Sequence, residues 1–163
     1  MVAQLERSVG GYAPPMQQRN ERTFTFDGLP LRYGDFFGPV TLAYETWGTL
    51  NAEGDNAILI THALTGNAHA HDPQHPDDAR EAWWNPLIGP GRPIDTSRHF
   101  VICSNVLGSC YGSTGPSSLD PDTGRPYGTR FPIITIHDMV RAQRILLGHL
   151  GVKRLALVVG GSI

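Results

Sequence analysis

Cysteine is scarce in this sequence of 163 residues, in which only Cys103 and Cys110 occur. Two cysteines are too few to hold a fold together by disulfide bonds, and such sparing use is typical of a reducing compartment. Long apolar runs are also missing, because no stretch reaches the roughly 18 residues that a membrane-spanning helix needs. The N-terminus is polar and lacks the apolar middle of a secretion signal. We therefore expect a cytoplasmic protein without a membrane partner.

Positive charge is limited as well. The 13 lysines and arginines are outnumbered by 15 aspartates and glutamates, which gives a formal net charge of −2, and no basic run occurs. Nucleic acids and anionic membranes are therefore not expected as partners. Apolar residues make up 40% of the chain and charged residues 17%, values that are ordinary for a globular domain and argue against disorder. The length is sufficient for one domain with a hydrophobic core.

The hydrophobic pattern predicts five strands, at residues 22–26, 40–47, 57–60, 100–103 and 155–159. The first two alternate between apolar and polar residues, so they favour an antiparallel pair. The other three are uninterrupted apolar runs, which are typical of strands buried on both faces. A helix between the last two strands completes a strand–helix–strand crossover. The sequence therefore predicts an α/β fold with a mostly parallel sheet and an antiparallel start.

The predicted helix has a clear beginning and a clear end. Thr135 and Asp138 have the spacing of a capping box, with Asp in place of the usual Glu. Gly151 is placed to end the helix, with Val152 supplying the hydrophobic contact of a C-terminal cap. Apolar residues recur between them at helical spacing and predict a broad buried stripe. The stripe comprises Ile136, Met139, Val140, Ile145, Leu146, Leu147 and Leu150.

The strand at 155–159 runs directly into Gly160, Gly161 and Ser162. A serine just after a glycine pair, at the carboxyl end of a buried strand, is how a nucleophile elbow begins. Such an elbow strains the backbone of its serine and tolerates only very small residues two positions away, a demand that Gly160 meets. A plain strand-to-helix turn, with the hydroxyl capping the next helix, explains the same string equally well. A phosphate-binding glycine turn is a third interpretation, although G-x-G is absent here.

A second candidate feature follows the strand at 57–60. Acyl transfer at a serine needs two backbone N–H donors directed at the developing oxyanion. In α/β-hydrolases one donor is the residue after the serine, which here is Ile163, and the other lies in the loop after the third strand, which here contains Leu64. The alternative is an ordinary turn in which Gly66 ends the strand. Both donors are hypotheses that depend on Ser162 being the nucleophile.

Four histidines, His62, His69, His71 and His75, lie close to Asp72 in the loop after the same strand. His-x-His followed by Asp and another His suggests a zinc site and hence a metal-dependent hydrolase. The spacing differs from the metallo-β-lactamase pattern, and histidines in a polar, proline-rich loop are most often unligated. We therefore expect no bound metal.

Other residues in the long loops favour structural interpretations. Trp83 and Trp84 are expected to clamp the loop that follows the strand at 57–60 onto the core. Cys110 has no neighbour that would activate its thiol. Asp138 is explained as the helix cap, and Asp120 as a turn residue beside Pro121.

Several motifs occur together, in order, from about residue 57 to residue 163. They are His-Ala-Leu-Thr-Gly at 62–66, Gly-Ser-Thr-Gly-Pro-Ser-Ser at 112–118, Asp-Pro-x-Thr-Gly-x-Pro-Tyr-Gly at 120–128, Phe-Pro at 131–132, the Thr135–Asp138 pair and Gly-Gly-Ser at 160–162. In this combination the sequence resembles the homoserine O-acetyltransferase family. The run at 112–118 is far more specific than the elbow alone. The resemblance therefore favours the nucleophile interpretation of Ser162.

The resemblance implies an α/β-hydrolase fold, with residues 1–20 as a loose lead-in and residues 21–163 as the N-terminal part of one domain. It implies that Ser162 takes an acetyl group from acetyl-CoA, a co-substrate rather than a bound cofactor, while Leu64 and Ile163 donate to the oxyanion. The acceptor would be L-homoserine, for methionine biosynthesis. Homodimerisation of the full-length protein is also implied.

Two departures from the family pattern stand out. Ser109 and Tyr111 flank Cys110 where a glycine and a basic residue are expected. The catalytic Asp and His, the helical lid and the dimer surface of the family lie downstream of the elbow, so we expect this chain to be an inactive N-terminal fragment. Three alternatives stay open: another serine-dependent acyltransferase or esterase of the same fold, with a succinyl donor or a serine acceptor; a non-catalytic fragment that pairs with a partner; and a metal-dependent hydrolase.

Overall fold

The computed structural model describes residues 21–78 and 82–162. Its strands are β1 (Arg22–Phe26), β2 (Leu29–Pro30), β3 (Phe36–Phe37), β4 (Val40–Trp47), β5 (Ala57–Thr61), β6 (Ile88–Gly89), β7 (Ile94–Asp95), β8 (Phe100–Ser104) and β9 (Leu155–Gly160). The helix α1 spans Ile136–His149, and a 3₁₀ turn spans Gly128–Arg130. All five strands expected from the hydrophobic pattern are present, within one residue of their expected ends. The expected lead-in at 1–20 lies outside the described residues.

Five strands form the main sheet, in the order β1-β4-β8-β5-β9. β4 pairs antiparallel with both β1 and β8, whereas β5 pairs parallel with both β8 and β9. The predicted antiparallel start and parallel continuation are therefore confirmed. Two short ladders lie within the connections, β2 with β3 and β6 with β7. Because β8, β5 and β9 run in the same direction, their carboxyl ends and the residues that follow meet at one edge of the sheet.

The two faces of the sheet are covered differently. One face packs against α1, where Leu42 and Tyr44 of β4 contact the same apolar cluster as Leu146. The other face is covered by the loop between β5 and β8, whose Ala68 and Ala70 pack with the inward-facing residues of the sheet. Trp83 and Trp84 pack against this second cluster, which confirms their expected role as a clamp. The described part of that loop is therefore a packed layer of the fold.

The ends of α1 have the expected local motifs. The side chain of Thr135 accepts a hydrogen bond from the Asp138 N–H while Asp138 accepts one from the Thr135 N–H, so the capping box is complete. At the other end Gly151 has a φ of 81°, and the Val152 N–H donates to the Leu147 carbonyl at 3.0 Å. This bond is the long closing bond of a Schellman motif.

Two expectations about burial are wrong. The helix buries a narrower stripe than the apolar spacing predicts, because Ile136 and Val140 are 50% and 55% exposed. β9 is not buried on both faces either, since Leu157 and Val158 are 47% and 55% exposed. The physical reason is position: β9 is the last strand of the described sheet, and no described element packs beyond it. Within the described residues, none of the helices combines the length and apolarity needed to cross a bilayer.

Candidate active site

Ser162 lies just beyond β9 in a backbone conformation that L-amino acids rarely adopt. Its φ is 64°, and it is the only non-glycine residue with a positive φ in the described ranges. Such a conformation costs of order 1–3 kcal/mol and is found preferentially at functional sites. Ser162 is exposed, at the edge where the three parallel strands end. The strained backbone expected of an elbow is therefore present, while the role of Ser162 as a nucleophile stays a prediction.

Gly160 allows the close approach of β9 to β5 that precedes this turn. It pairs in register with Thr61, the last residue of β5. A Cβ atom on Gly160 would collide with both Oγ1 and the carbonyl oxygen of Thr61. A Cβ atom on Gly161, in contrast, would have no neighbour within 4 Å. Of the two glycines, it is therefore Gly160 that the packing requires.

The loop that leaves β5 reaches Ser162 directly. The Leu64 N–H donates to the backbone carbonyl of Ser162 at 3.1 Å, although the Leu64 side chain is 75% exposed. A tight turn, closed by the Gly66 N–H donating to the Ala63 carbonyl at 2.8 Å, shapes the backbone at this point. The two segments named by the sequence are thus adjacent, with the Leu64 N–H engaged by a carbonyl. Ile163, the second expected donor, lies outside the described residues.

His62 holds the start of this loop in place. It is 1% exposed, and its Nε2 accepts a hydrogen bond from the Val106 N–H at 3.2 Å. Since Nε2 is the acceptor, Nδ1 carries the proton and donates to the Ala63 carbonyl at 2.7 Å. The imidazole thereby joins the exit of β5 to the exit of β8. The contacts of His62 are therefore structural, and no cluster of possible metal ligands in the described ranges includes it.

His69 and His71 have separate side-chain partners. The Nδ1 atom of His69 lies 3.0 Å from each carboxylate oxygen of Glu45, and that of His71 lies 2.9 Å from Oδ1 of Asn85. All four residues are buried. Burial lowers the pKa of His71 below its ordinary value, and this effect outweighs the hydrogen bond to the Asn85 amide oxygen, which acts in the opposite direction. The two histidines of the His-x-His pattern therefore make two separate buried contacts and do not share a ligand site.

The remaining member of the histidine group pairs with the aspartate. Nδ1 of His75 lies 2.9 Å from Oδ2 of Asp72, and Oδ1 of Asp72 accepts the Gln74 N–H at 2.8 Å. Burial alone would raise the pKa of Asp72, but these hydrogen bonds together hold it below the ordinary value. Across residues 21–78 and 82–162, no group of three or more His, Cys, Asp or Glu side chains is arranged to hold a metal ion. The zinc hypothesis thus has no structural support in those ranges.

Comparison with known proteins now adds to this geometry. The chain is 61% identical over 135 residues to the homoserine O-acetyltransferase of Moorella thermoacetica, a match that covers 83% of this chain and 36% of that protein. It is 62% identical over 135 residues to the homoserine O-acetyltransferase of Solidesulfovibrio magneticus, covering 83% and 34% respectively. The chain is a relative of the homoserine O-acetyltransferases. It spans little more than a third of the length of these curated relatives, and no family model matches it.

Similar solved structures include a homoserine O-acetyltransferase and also esterases. The homoserine O-acetyltransferase from Bacillus anthracis has a TM-score of 0.78 and 38% identity, over 87% of this chain and 39% of that one. Esterase E22 has the same TM-score and identity, over 87% and 40%. The acetyl esterase MekB follows with a TM-score of 0.69 and 31% identity, over 87% and 37%. The α/β-hydrolase fold expected for the sequence is therefore confirmed, in a group that contains both transferases and esterases.

The loop at 112–118, which carried the resemblance to homoserine O-acetyltransferases, docks on the sheet. Gly112 has a φ of 87° and lies so close to Ala43 that an added Cβ would approach the Ala43 Cβ to 2.9 Å. The Ser113 hydroxyl accepts the Ala43 N–H at 3.0 Å, and the Thr114 hydroxyl accepts the Thr41 N–H at 2.8 Å. The motif thus supplies hydrogen-bond partners to β4, which explains its small and hydroxylated residues.

Sequence reasoning missed three buried polar residues that organise this region: Glu45, Asn85 and Asn105. Asn85 is fully buried, and its side chain bonds backbone groups at Asp72, His75 and Asp78. Asn105 bonds backbone at Ala68 and Tyr111. A signal existed for Glu45, since it is a charged residue inside a strand whose neighbours are otherwise suited to the core. For the two asparagines no local signal distinguishes them from ordinary loop residues.

Proposed function

We propose that this chain forms the part of a homoserine O-acetyltransferase that carries the nucleophile. In this proposal Ser162 takes an acetyl group from acetyl-CoA and passes it to the side-chain hydroxyl of L-homoserine. The observation that carries the proposal is the positive φ of Ser162 at the end of β9, next to the Leu64 amide. The names of the relatives suggest the acyl group and the acceptor. Because the chain spans little more than a third of them, the activity belongs to the complete protein.

The reaction proceeds in two balanced steps. In the first, Ser162 Oγ attacks the thioester carbon, an Oγ–C bond forms, the C–S bond breaks, and the serine proton reaches the departing thiol through a base. In the second, the homoserine hydroxyl attacks the acyl-serine, its proton returns to Ser162 through the same base, and O-acetylhomoserine leaves. The family resemblance implies that this base is a histidine oriented by an aspartate, both outside residues 1–163.

The oxyanion of each step requires two N–H donors, which we assign to Leu64 and Ile163. The Leu64 N–H lies beside Ser162 but donates to its carbonyl oxygen, 3.1 Å away. To act in catalysis, this N–H releases the Ser162 carbonyl oxygen and donates its hydrogen bond to the oxygen of the acyl group instead. An N–H that is held by a fixed loop and needs little reorientation stabilises developing charge more than a mobile donor would.

The two long loops, 63–98 and 105–131, help to shelter the acyl-enzyme in this proposal. An acyl-serine exposed to water would hydrolyse, so a transferase has to exclude water. The first loop forms an apolar layer on the sheet, and the second is hydrogen bonded to β4 through Ser113 and Thr114. The described residues of both loops are therefore packed or hydrogen bonded against the sheet.

The wider setting is proposed on the same basis. Residues 21–163 would form the N-terminal part of one α/β-hydrolase domain, preceded by the lead-in at 1–20. The complete enzyme would act as a homodimer in the cytoplasm, in methionine biosynthesis, with acetyl-CoA as a co-substrate and without a bound cofactor or metal.

A specific observation favours a second candidate, hydrolysis of acetyl esters. Esterase E22 matches this chain as well as the Bacillus anthracis transferase does, with the same identity and TM-score. The two activities share the acyl-serine and differ in whether water or an amino-acid hydroxyl attacks it. They are separated by measuring how a preformed acyl-enzyme divides between water, L-homoserine and L-serine. A succinyl donor is tested by replacing acetyl-CoA with succinyl-CoA.

The nucleophile is tested with Ser162→Ala in the complete gene product. After incubation with acetyl-CoA and no acceptor, intact-mass spectrometry should show one added acetyl group on the wild type and none on the variant, because the accepting oxygen is gone. Ser117→Ala is the matched control, since Ser117 is an exposed serine in the second loop, and it should acetylate like the wild type. An adduct that persists on Ser162→Ala rules the assignment out.

A further inference from the structure

Glu45 is a charged residue in the interior of the sheet. It lies in β4 opposite Cys103 of β8 and is 2% exposed. Burial raises the pKa of the Cys103 thiol strongly, and the negative charge of Glu45 raises it further. A buried carboxylate costs several kcal/mol unless it is paired, and even a paired one is often less stabilising than an apolar side chain. Stability alone therefore gives no reason for a glutamate at this position.

The partner of Glu45 lies in the loop that leaves β5. Both carboxylate oxygens are 3.0 Å from Nδ1 of His69, which is 9% exposed. Nδ1 of the imidazole carries a proton and donates it to the carboxylate. A hydrogen bond to an ionised acceptor is stronger than one between two neutral groups. One partner is fixed in a central strand and the other belongs to a loop. The bond therefore sets the position of the loop relative to the sheet.

The segment 62–69 is held at its two ends. At its start His62 bonds the Val106 N–H, and at its finish the Ala68 N–H donates to Oδ1 of Asn105 at 2.6 Å, next to the His69 contact. Between these points the Leu64 side chain makes little contact, being 75% exposed. The position of the Leu64 peptide is consequently set by the fixed ends of the segment together with the turn closed between Gly66 and Ala63.

We propose that Glu45 and His69 are positioning residues, which hold the segment 62–69 so that the Leu64 N–H stays aligned with Ser162. The inference deepens the proposed function and rests on it for the catalytic meaning of that alignment. Neither side chain acts on the acyl group in this proposal. They affect the reaction only by placing the Leu64 amide. A small displacement of this N–H lengthens its hydrogen bond to the oxyanion and so weakens stabilisation of the transition state.

A cavity beside the pair makes the proposal testable. Glu45 and His69 line a space of about 240 Å³ together with Asn67, Asn105 and Tyr111. The polar side chains of Asn67 and Asn105 belong to its lining, and the space is large enough for water, which can solvate the imidazole when the carboxylate is removed. We therefore expect Glu45→Ala to remain folded, with the segment no longer fixed to β4.

The first measurement follows the Leu64 amide itself, by hydrogen exchange and ¹H–¹⁵N spectra of the labelled complete gene product. Glu45→Ala should accelerate exchange of this amide by about tenfold or more, since its hydrogen bond to Ser162 then opens more often. His71→Gln is the matched control: His71 is also buried and bonded through Nδ1, but its hydrogen-bond partner Asn85 belongs to the same loop, and its link to the sheet is a ring contact with Trp47. In the control, Leu64 exchange should stay within about twofold of wild type.

The second measurement separates positioning from general damage, in the complete gene product. Glu45→Ala should lower kcat for acetyl transfer by about tenfold or more, less than the 10²–10³ expected for full loss of a donor, with the KM for acetyl-CoA unchanged. Glu45→Gln keeps an acceptor for the Nδ1 proton and should recover most of the loss. If Glu45→Ala is too unstable to measure, Glu45→Gln takes its place. In Glu45→Gln, exchange of the Leu64 amide should be faster than in the wild type, but by less than in Glu45→Ala.

Wild-type exchange at Leu64 in folded Glu45→Ala would overturn the proposal, as would an equal effect in His71→Gln. Where Glu45→Gln has to replace Glu45→Ala, the lack of any acceleration would overturn it. The exchange measurement does not depend on catalysis. If the wild-type protein forms no acyl-enzyme, the proposed function is wrong, but hydrogen exchange still tests whether Glu45 positions Leu64.

Discussion

Two adjacent glycines precede Ser162, and the structure makes different demands on them. Gly160 faces Thr61 across the β5–β9 pair with no room for a methyl group, whereas the space around Gly161 is open. The obstacle at Gly160 includes the backbone carbonyl of Thr61, which cannot rotate away as a side chain can. Packing therefore requires glycine at position 160, whereas at position 161 it would also allow a larger residue.

We expect Gly160→Ala to destabilise the chain by about 1–3 kcal/mol, the usual cost of forcing an extra methyl group into a filled space. β9 would have to separate from β5 to relieve the collision. Urea unfolding, followed by fluorescence of the three tryptophans, measures the free energy of unfolding.

Gly161→Ala is the control for this experiment. It adds the same methyl group one residue later, where nothing lies within 4 Å, and should change the free energy of unfolding by less than about 0.5 kcal/mol. Equal effects of the two substitutions would show that the contact with Thr61 is not what requires glycine.

At the scale of a single element, Asp138 does two things for α1. Its Oδ2 accepts hydrogen bonds from the N–H and hydroxyl of Thr135, which completes the capping box. Its Oδ1 accepts the Arg32 N–H at 2.8 Å, so the same carboxylate ties the start of the helix to the segment after β2. Burial would raise the pKa of Asp138, but these hydrogen bonds and the nearby Arg141 together hold it below the ordinary value of 3.8.

This lowered pKa gives a prediction with a definite sign. Because the folded state favours the ionised form, the contribution of Asp138 to stability is complete above the unfolded pKa of 3.8 and is lost as the pH falls through the lower folded pKa. Asp138→Asn should therefore lower the free energy of unfolding by about 1–2 kcal/mol at neutral pH. The difference from wild type should shrink below about pH 4.

The measurement is a series of denaturant titrations between pH 7 and pH 3. Asp77→Asn provides the comparison, since the carboxylate of Asp77 is 93% exposed and pairs with Arg92 near the surface. That substitution should cost at most about 1 kcal/mol, the upper end for an exposed pair. A deficit in Asp138→Asn that is constant across the pH range would contradict the titration argument.

At the scale of the whole molecule, the outer edge of β9 has no strand neighbour among the described residues. β9 has one strand neighbour in the described sheet, and Leu157 and Val158 are about half exposed. An exposed apolar edge strand offers unpaired N–H and carbonyl groups to another chain. The isolated 163-residue chain should therefore associate with itself through β9 as its concentration rises.

Val158→Lys should reduce this association, because a charged side chain on the edge opposes pairing with a second strand. Sedimentation velocity over a concentration series should show a lower weight-average mass for the variant than for the wild type. Ile133→Lys is the control: Ile133 is 72% exposed but lies in the segment before α1 and not in a strand of the sheet. If both lysine variants reduce association equally, β9 is not the surface responsible.

The sequence determined the features that depend on neighbours along the chain. β1 and β4 begin and end where the alternating pattern predicts, and α1 has the capping box of Thr135 and Asp138 and the end at Gly151. The strained turn at Ser162 was also predictable, since two small residues after an apolar run are what such a turn requires. These features are local because their hydrogen bonds connect residues a few positions apart.

The tertiary structure decided which distant residues meet. Glu45 and His69, or Asn85 and the backbone at Asp78, lie on different segments, and no periodicity in the sequence relates them. The tertiary structure also decided which apolar side chains are exposed to solvent. Val140 and Val158 are apolar, but no described element covers them. Local sequence sets the conformation of each segment, whereas burial and long-range hydrogen bonds depend on the order of strands in the sheet. That order places the Leu64 amide next to Ser162.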